Sequence, residues 1–370
     1  MDRRNFLKGA SSLVLVHPLI GFALPGVGLN LPVAKPDALP PLFVVPTVDD
    51  FGTRVSLVAI GGAGVAMVNR IDKARYGLHK IIAIDTSARA LKNAKADHVI
   101  LLNDADKRKP ATANLAWELG EQQRAIVERE IADAHLVIIV AGMGGTTGTG
   151  VALSVAAAAR RQNALTVAFV VTPFAFEAQQ RQINSAAGIQ ALQSVAHSVT
   201  IVSNERLAQQ FATQASFTEV IAQGSTALHH FLWNTSGCLT HPGLVGIDFE
   251  DIRTVLDSRG LSGIGWGEAV GDKRAEQAVQ QALSHATLIP AGPTTLQSVG
   301  VSIRAANKTL RMKEINTVMN QIKTSMDRLS SSDGHVIFSA DYDETLGQSM
   351  QISVLANWVK PKGSTANLNN

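Results

Sequence analysis

Five short apolar strands, separated by segments with helical spacing, constrain the fold of this chain more than any other feature. They read VSLVAI, HKIIAID, HVILL, LVIIVAG and LTVAFVVTPF, and they lie between Val55 and Phe174. Strands that are apolar throughout and alternate with helices are typical of a parallel sheet covered on both faces. Ligands in such folds bind at the carboxyl ends of the strands. The sequence therefore predicts an α/β, Rossmann-like domain with a binding site at that edge.

A second, smaller region follows this sheet. A long helix is predicted from about Phe217 to Leu239, ending near His241. The order beyond it is helix (Ile252 to Asp257), helix (Lys273 to His285), strand SVGVSIRAA, helix KEINTVMNQIKTSMDRL, and strands HVIFSADYD and MQISVLANW. This mixed order predicts a small α+β domain.

Composition excludes several classes of protein. The chain has 370 residues, of which 46% are hydrophobic and 17% charged, so it is globular. A net charge of +3 without a basic stripe argues against nucleic acid as a partner. One cysteine, Cys238, leaves neither an internal disulfide nor a cysteine metal site. No metal-ligating residues are predicted.

The N-terminus has the composition of a targeting segment. Paired Arg3 and Arg4 precede Phe6, Leu7 and a short apolar stretch, which resembles a twin-arginine export signal over residues 1–24. A basic tail met by chance is the alternative. No small-x-small cleavage site is obvious, so the segment could also remain as a weak membrane tether. Residues 25–47 contain six prolines and read as an extended linker.

Two glycine-rich stretches follow strand ends. The first, Gly61-Gly62-Ala63-Gly64, joins the first strand to a helix, whose N-terminal amides favour phosphate. With Asp85 about 20 residues on, it also fits part of a dinucleotide fingerprint. Met67 stands in place of the third glycine of that fingerprint. A nicotinamide or flavin oxidoreductase is therefore one alternative.

The second glycine-rich stretch argues against the dinucleotide-binding alternative. GMGGTTGTG, from Gly142 to Gly150, has five glycines in nine residues, whereas a tight turn needs one or two. A dinucleotide fold needs one such loop, and two loops at neighbouring strand ends can hold a di- or triphosphate from both sides. Three threonines, Thr146, Thr147 and Thr149, add hydroxyl donors.

These residues carry a family resemblance. AGMGGTTGTG resembles the signature loop of the FtsZ/tubulin superfamily, and VAIGGAGVAMVNRI, TPFAFEAQQR, VSNERL and HPGLVGIDFEDIRTV resemble further family segments in the same order. The match runs from about Val55 to Asn357. It implies the tubulin/FtsZ fold, GTP or GDP as ligand with Mg²⁺ as a candidate ion, and head-to-tail filaments of the chain with itself or with another FtsZ. The implied divisions are a nucleotide-binding domain (48–216), a central helix (217–240), a C-terminal domain (241–359) and a short tail (360–370).

The resemblance also implies roles for individual residues. Ribose and base-edge contacts fall to Glu177 and Arg181, and a guanine contact falls to Asn204. The phosphate contacts fall to Gly61, Gly62 and Gly64 in the first loop and to Gly144, Gly145, Thr147, Gly148 and Thr149 in the second.

Asp248 and Asp251 match the acidic pair that, in the family, enters the nucleotide site of the next subunit. Carboxylates there orient or polarise the attacking water. Their spacing of three at a helix start also fits an N-cap and a first-turn acid, and spacing alone favours that interpretation. The surrounding match in GLVGIDFEDIRTV tips the balance, so the resemblance implies that Asp248 and Asp251 are catalytic.

Departures from the family pattern concentrate on the ligand. Thr146 replaces a glycine, and the third phosphate loop is replaced by a stretch containing Lys107, Arg108 and Lys109. An ungapped count puts Ile221 where the family stacks a phenylalanine on guanine and Thr226 where it has a guanine-binding aspartate. A shift of the helix would bring Glu219 near instead.

Two functions therefore compete. One is an FtsZ-like GTPase that forms filaments and acts in cell division. The other is a tubulin-fold structural protein with weak or no hydrolysis, which is exported if the N-terminal signal functions. The family resemblance implies a cytoplasmic protein, and a working signal implies a periplasmic or inner-membrane one. The tail KPKGSTANLNN has no counterpart of the family's adaptor-binding segment, so the N-terminal segment is the expected membrane contact.

Overall fold

The computed structural model describes residues 52–102, 112–211, 215–240, 243–257, 260–290, 294–329 and 334–359. The predicted export segment, the proline-rich linker, the basic stretch of Lys107 to Lys109 and the tail lie outside these residues. None of the helices in the described ranges combines the length and the hydropathy needed to span a bilayer.

The first half alternates strands and helices as predicted through the fifth strand, and the two helices and the strand that follow it were not predicted. Its elements are β1 (Val55–Ile60), α1 (Gly61–Val68), β2 (Lys80–Asp85), α2 (Ala88–Leu91), β3 (His98–Leu101), α3 (Ala113–Gln122), α4 (Arg124–Ile131), β4 (Leu136–Gly142), α5 (Thr146–Arg161), β5 (Leu165–Thr172), α6 (Gln179–Val195), β6 (Ser198–Ser203) and α7 (Asn204–Phe211).

The second half begins with the long central helix. It comprises α8 (Phe217–Leu232), a π-helical turn (Trp233–Gly237) and α9 (Cys238–Thr240), close to the predicted span. The remaining elements are α10 (Phe249–Leu256), β7 (Gly260–Ala269), α11 (Arg274–Leu283), β8 (Thr295–Ala305), α12 (Met312–Leu329), β9 (His335–Tyr342), a short 3₁₀ turn (Glu344–Leu346) and β10 (Met350–Val359).

The ten strands of the described residues form one sheet in the order β3-β2-β1-β4-β5-β6-β7-β10-β8-β9. All strands from β3 to β7 pair in parallel, while β10 is antiparallel to both β7 and β8. The parallel α/β sheet and the mixed C-terminal region confirm the predicted fold class. The division into domains stays a prediction, because β6 and β7 pair directly and carry the sheet across it.

Alternate residues of the parallel strands enter two different cores. Leu57, Ile138 and Val167 face a core that includes Leu228 and Phe231 of the central helix. Val58, Ile139 and other strand residues face a second core built with helix α5. The sheet is therefore buried on both faces, which explains why its strands read as continuous apolar runs.

Strand β7 was not predicted, because it is rich in glycine. A Cβ at Gly263, Gly265 or Gly267 would lie within about 2 Å of a backbone oxygen of Leu288, Ala282 or Ala278. These glycines let α11 pack directly on the strand, so their role is in tertiary packing and leaves little apolar pattern in the sequence.

Two predicted helices are shorter than expected. The segment LAWELGEQQRAIVEREIADA, predicted as one helix, is divided at Gln123 into α3 and α4. Helix α1 ends at Val68 instead of continuing toward Gly77. Beyond it the Asp72 side chain accepts a hydrogen bond from Ala74 N at 3.0 Å, a local bond that competes with the helix.

Candidate nucleotide-binding site

The two glycine loops lie side by side at the carboxyl edge of the parallel strands. Ile60, at the end of β1, pairs with Ala141 of β4, so both chains leave the sheet at the same level. Gly61 adopts φ +73°, and a Cβ on it would lie 3.2 Å from the backbone nitrogen of Gly148. The close contact between the loops thus requires glycine at this position.

The glycines of these loops divide into two groups by what surrounds them. A Cβ at Gly64 would lie 2.3 Å from Val140 O, and one at Gly148 would lie 2.2 Å from Gly142 O. These glycines hold the helices against the sheet. A Cβ at Gly62 or Gly145 would meet nothing within 4 Å, so these two face open space from which a ligand can approach the backbone.

Both loops are shorter than the sequence indicated, because the helices begin early. Helix α1 starts at Gly61 and α5 starts at Thr146, so Gly148 and Thr149 belong to the first turn of α5. Neither helix has a side-chain cap: the N-cap residues are Ile60 and Gly145. The N–H groups of a helical first turn lack partners within the helix and attract anions. Two such turns converge here.

The threonines of the second loop mostly serve the loop itself. Thr149 is fully buried, and its Oγ1 accepts a hydrogen bond from Gly144 N at 2.9 Å. The Thr149 hydroxyl was predicted as a donor to the ligand. Here it accepts from the loop backbone, so Thr149 acts by positioning Gly144. The Thr147 hydroxyl lies 2.7 Å from that of Thr86, which follows β2. Thr86 was not among the predicted site residues, since only the tertiary fold brings it to the loop.

Glu177 and Arg181 lie beside the second loop, and their contacts with a ribose and a base stay a prediction. Glu177 Oε2 pairs with Arg181 Nε at 2.9 Å, and its Oε1 accepts from Phe174 N at 2.9 Å. Gly144 adopts φ +92° and approaches the Arg181 carbonyl so closely that a Cβ would lie 2.7 Å from that oxygen. The pair is thus fixed next to the glycines, with Arg181 retaining N–H groups besides Nε.

Asn204 lies at the same edge, one strand further along the sheet. Thr172 at the end of β5 pairs with Ser203 at the end of β6, and Asn204 opens α7 directly afterwards. The edge therefore carries, in spatial order, the first loop, the second loop, the Glu177 and Arg181 pair, and Asn204.

An aromatic cluster borders this edge and was not predicted. The Phe174 ring lies 5.0 Å from that of Phe176 and 5.3 Å from that of Phe217 at the start of the central helix. Phe176 remains 74% exposed. Phe217 was predicted only as the first residue of a helix, because its contact with Phe174 joins residues about 40 positions apart.

The central helix offers no carboxylate at the two positions, Ile221 and Thr226, compared with the family. Ile221 is apolar and 47% exposed. The Thr226 hydroxyl donates to Ala222 O at 3.3 Å, which turns it toward its own helix. Glu219 forms a capping box with Ser216, and its Oε2 accepts from Ser216 N at 2.6 Å. These hydrogen bonds with Ser216 hold the pKa of Glu219 below its usual value.

Asp248 and Asp251 form a capping box on α10. Asp248 Oδ1 accepts from Asp251 N at 2.9 Å, and Asp251 Oδ2 accepts from Asp248 N at 3.0 Å. The capping interpretation is therefore confirmed. It uses one oxygen of each carboxylate, and the other oxygens have no partner among the described residues. Asp248 is exposed and Asp251 half-buried.

The acidic pair lies at the opposite edge of the sheet from the glycine loops. Phe249, next to Asp248, has its ring 6.3 Å from that of His135, which immediately precedes β4. The second loop follows the other end of β4, seven residues on. At about 3.3 Å per residue, the strand separates the two by roughly 20 Å. Within one chain, the acids and the loops do not form one site.

Comparison with known proteins shows which family the chain belongs to. The chain matches the model of the Tubulin/FtsZ family, GTPase domain, over residues 54–212, and that of the FtsZ family, C-terminal domain, over residues 260–360. It is 33% identical over 313 residues to cell division protein FtsZ 1 of Halobacterium salinarum, covering 83% of this chain and 76% of that protein. The chain belongs to the tubulin/FtsZ family.

One further relative and two solved structures are also similar to this chain. The FtsZ of Bartonella bacilliformis is 30% identical over 322 residues, which are 85% of this chain and 53% of that longer protein. An empty FtsZ dimer from M. jannaschii has a TM-score of 0.73 at 24% identity, covering 86% of this chain and 95% of that one. A GTPγS-bound protofilament of CetZ2 from Haloferax volcanii has a TM-score of 0.67 at 18% identity, covering 82% and 92%. These two structures show likeness of fold.

Family membership replaces the oxidoreductase interpretation. Asp85, which the dinucleotide fingerprint would assign to a ribose, is buried, and its Oδ1 accepts from Ser87 N at 2.8 Å. The carboxylate is thus part of a turn. Within the described ranges, no group of three or more His, Cys, Asp or Glu side chains is arranged to hold a metal ion.

Replacing Gly64 with alanine is expected to destabilise the protein, whereas Gly62→Ala is not. The new Cβ at position 64 would lie 2.3 Å from Val140 O and force α1 away from β4, at a cost of about 1–3 kcal/mol. At position 62 the Cβ enters open space, and alanine favours the helix. Thermal unfolding of both variants measures the difference, and equal melting temperatures would contradict the assignment of Gly64 to packing.

Thr149→Val is expected to lower the free energy of unfolding by about 1–3 kcal/mol, because it leaves the buried Gly144 N–H without an acceptor. Thr146→Val is the control, since Thr146 is half-buried on the same turn and its change should cost less than about 0.5 kcal/mol. Denaturant unfolding measures both. A Thr149 variant as stable as the control would show that its hydroxyl does not hold the loop.

Proposed function

We propose that this protein binds GTP or GDP between its two glycine loops and assembles head-to-tail into filaments that hydrolyse GTP. The observation that carries the proposal is the convergence of the loops at Gly61 and Gly148, with Gly62 and Gly145 open to a ligand. Its membership of the tubulin/FtsZ family supports the choice of a guanine nucleotide. A role in cell division is supported only by the similarity of the chain to cell division proteins of the FtsZ type.

The phosphates would lie against the first turns of α1 and α5. Backbone N–H groups there can donate to phosphate oxygens, and both helix dipoles favour negative charge. Gly62 and Gly145 leave room for the close approach that a side chain would prevent. A Mg²⁺ ion would take phosphate oxygens and water as ligands and neutralise part of the charge.

The nucleoside would extend along the same edge toward β5 and β6. Arg181, aligned by Glu177, and Asn204 are the side chains proposed to contact the ribose and the base. Because Thr226 and Ile221 present no bidentate carboxylate to the base, we expect weaker discrimination between GTP and ATP than an aspartate would give.

The acidic pair would act on the nucleotide of a neighbouring copy. Asp248 and Asp251 lie at the opposite edge of the sheet, so stacking two copies head-to-tail brings the pair of one copy to the loops of the next. Such a contact is heterologous and does not close, which produces a filament. The carboxylate oxygens left free by the capping box would orient water for attack on the γ-phosphorus. The bond to the β–γ bridging oxygen breaks, releasing GDP and phosphate.

The double variant Asp248→Asn and Asp251→Asn is expected to lower phosphate release at least about tenfold while GTP affinity stays within about threefold. Asparagine can still cap the helix but carries no charge. Glu250→Gln is the matched control, because it removes a charge from the same turn and leaves the capping box intact. Purified protein is assayed for equilibrium GTP binding, phosphate release and sedimentation. Full activity in the double variant would contradict the catalytic role.

A second candidate is a tubulin-fold structural protein that assembles without hydrolysis. The Thr226 hydroxyl, which is turned toward Ala222 O of its own helix and replaces a carboxylate, favours it. The same assays separate the two functions, since a wild-type protein that binds no nucleotide at millimolar concentration leaves only this candidate. Export through the segment containing Arg3 and Arg4 stays a prediction.

A further inference from the structure

A cleft of about 510 Å³ opens at one end of the strands β7, β8 and β10. Its walls are the turn between β7 and α11, the segment between β8 and α12, and Gln348 before β10. None of the residues that line it belongs to the glycine loops, to the Glu177 and Arg181 pair or to the start of α7 at Asn204. The cleft is therefore distinct from the candidate nucleotide site.

The buried guanidinium of Arg274 fixes the cleft's walls. Its Nε and Nη2 donate to the two oxygens of Glu314 at 2.7 and 3.1 Å. Nη2 also donates to Thr309 O at 2.6 Å, and Nη1 donates to Gln348 O at 2.9 Å. One side chain thus ties together α11, the start of α12, the β8–α12 segment and the β10 approach, so the cleft has a defined shape.

The Arg274 guanidinium neutralises the charge of Glu314 within this network. Burial opposes its ionisation, but hydrogen bonds from the Arg274 side chain and the Arg311 backbone hold the pKa of this carboxyl below its usual value. The ion pair of Arg274 and Glu314 therefore contributes little net charge to the cleft.

Four further cationic side chains line the cleft and are free to bind: Lys273, Lys308, Arg311 and Lys313. All four are exposed, and within the part of the chain that the structure describes none of them forms an ion pair. Two acids, Asp272 and Glu276, also line it. The cleft keeps an excess of positive charge after these are counted.

The placement of the cations opposes the preference of the helices. Lys273 is the N-cap of α11 without a side-chain cap bond, and Arg311 and Lys313 flank the first residue of α12. A helix N-terminus carries partial positive charge and favours acids. Cations at two such ends in one cleft repel the dipoles and each other, and a bound anion would relieve both.

Lys308 adopts a left-handed backbone conformation, with φ +63°. Such a conformation is uncommon for a lysine and is usually taken by glycine or asparagine. The turn around it is held by a bond from Thr309 N to Ala306 O at 3.1 Å and one from Asn307 N to Glu344 Oε1 at 3.1 Å. Backbone strain of this kind is concentrated at binding sites.

We propose that this cleft binds a phosphate-bearing anion, either a free phosphate ester or the phosphate headgroup of a lipid. Lys273, Lys308, Arg311 and Lys313 supply the charge, and the Arg274 and Glu314 pair forms the rigid floor. The volume of about 510 Å³ holds a ligand larger than one phosphate group.

The test compares three full-length proteins: wild type, the cleft variant Lys308→Gln with Arg311→Gln, and the control variant Lys92→Gln with Lys323→Gln. The control removes the same charge from exposed positions outside the cleft. Calorimetric titration with inorganic pyrophosphate, carried out with saturating GDP so that the glycine loops are already occupied, measures the free-phosphate arm. Flotation with phosphatidylcholine vesicles, with and without phosphatidic acid, measures the headgroup arm.

The cleft variant is expected to lose affinity at least about tenfold in one arm, while the control keeps wild-type affinity in both. A loss of affinity for pyrophosphate identifies a free phosphate compound as the ligand. A loss confined to binding of the phosphatidic acid vesicles identifies a lipid headgroup. Equal binding by all three proteins in both arms overturns the proposal. Lys308→Gly guards against misfolding, because it removes the charge, relieves the left-handed lysine and should weaken binding without lowering the melting temperature.

Discussion

The parallel pairing of β1, β4, β5 and β6 is the constraint on which the site depends. It ends each strand at the same edge, so the two glycine loops, the pair of Glu177 and Arg181, and Asn204 follow in spatial order. The backbone contact between Gly61 and Gly148 then places two helix N-termini against one volume. The proposed phosphate site at this edge thus depends on the strand directions and on glycine at a few positions.

The same pairing separates the acids from the loops. Strand β4 begins beside His135, whose ring contacts Phe249, and ends at the second loop. A rigid strand of seven residues cannot bring its two ends together, so Asp248 cannot reach the glycine loops of its own chain. The capping box that holds Asp248 and Asp251 on α10 keeps one oxygen of each available. Structural capping and catalysis by a neighbouring copy are therefore compatible.

Much of the fold could be predicted because the buried parallel strands leave long apolar runs. Strand β7 could not, since its glycines serve the packing of α11 and produce no apolar pattern. The loops were visible as glycine-rich stretches, but the division between packing glycines, such as Gly64, and open ones, such as Gly62, needs the neighbouring backbone. Likewise the engaged hydroxyl of Thr149 and the aromatic cluster around Phe176 depend on contacts that spacing does not encode.

Mixing two variants that are each inactive tests the central claim most directly. Gly145→Asp should block phosphate binding but keep the acidic pair, and Asp248→Asn with Asp251→Asn should do the reverse. Each alone is expected to release no phosphate from GTP above background. In a mixture, the intact loops of one variant meet the intact acids of the other, and phosphate release is restored. A mixture as inactive as its components, with both variants folded and wild type active, would contradict a site shared between two copies.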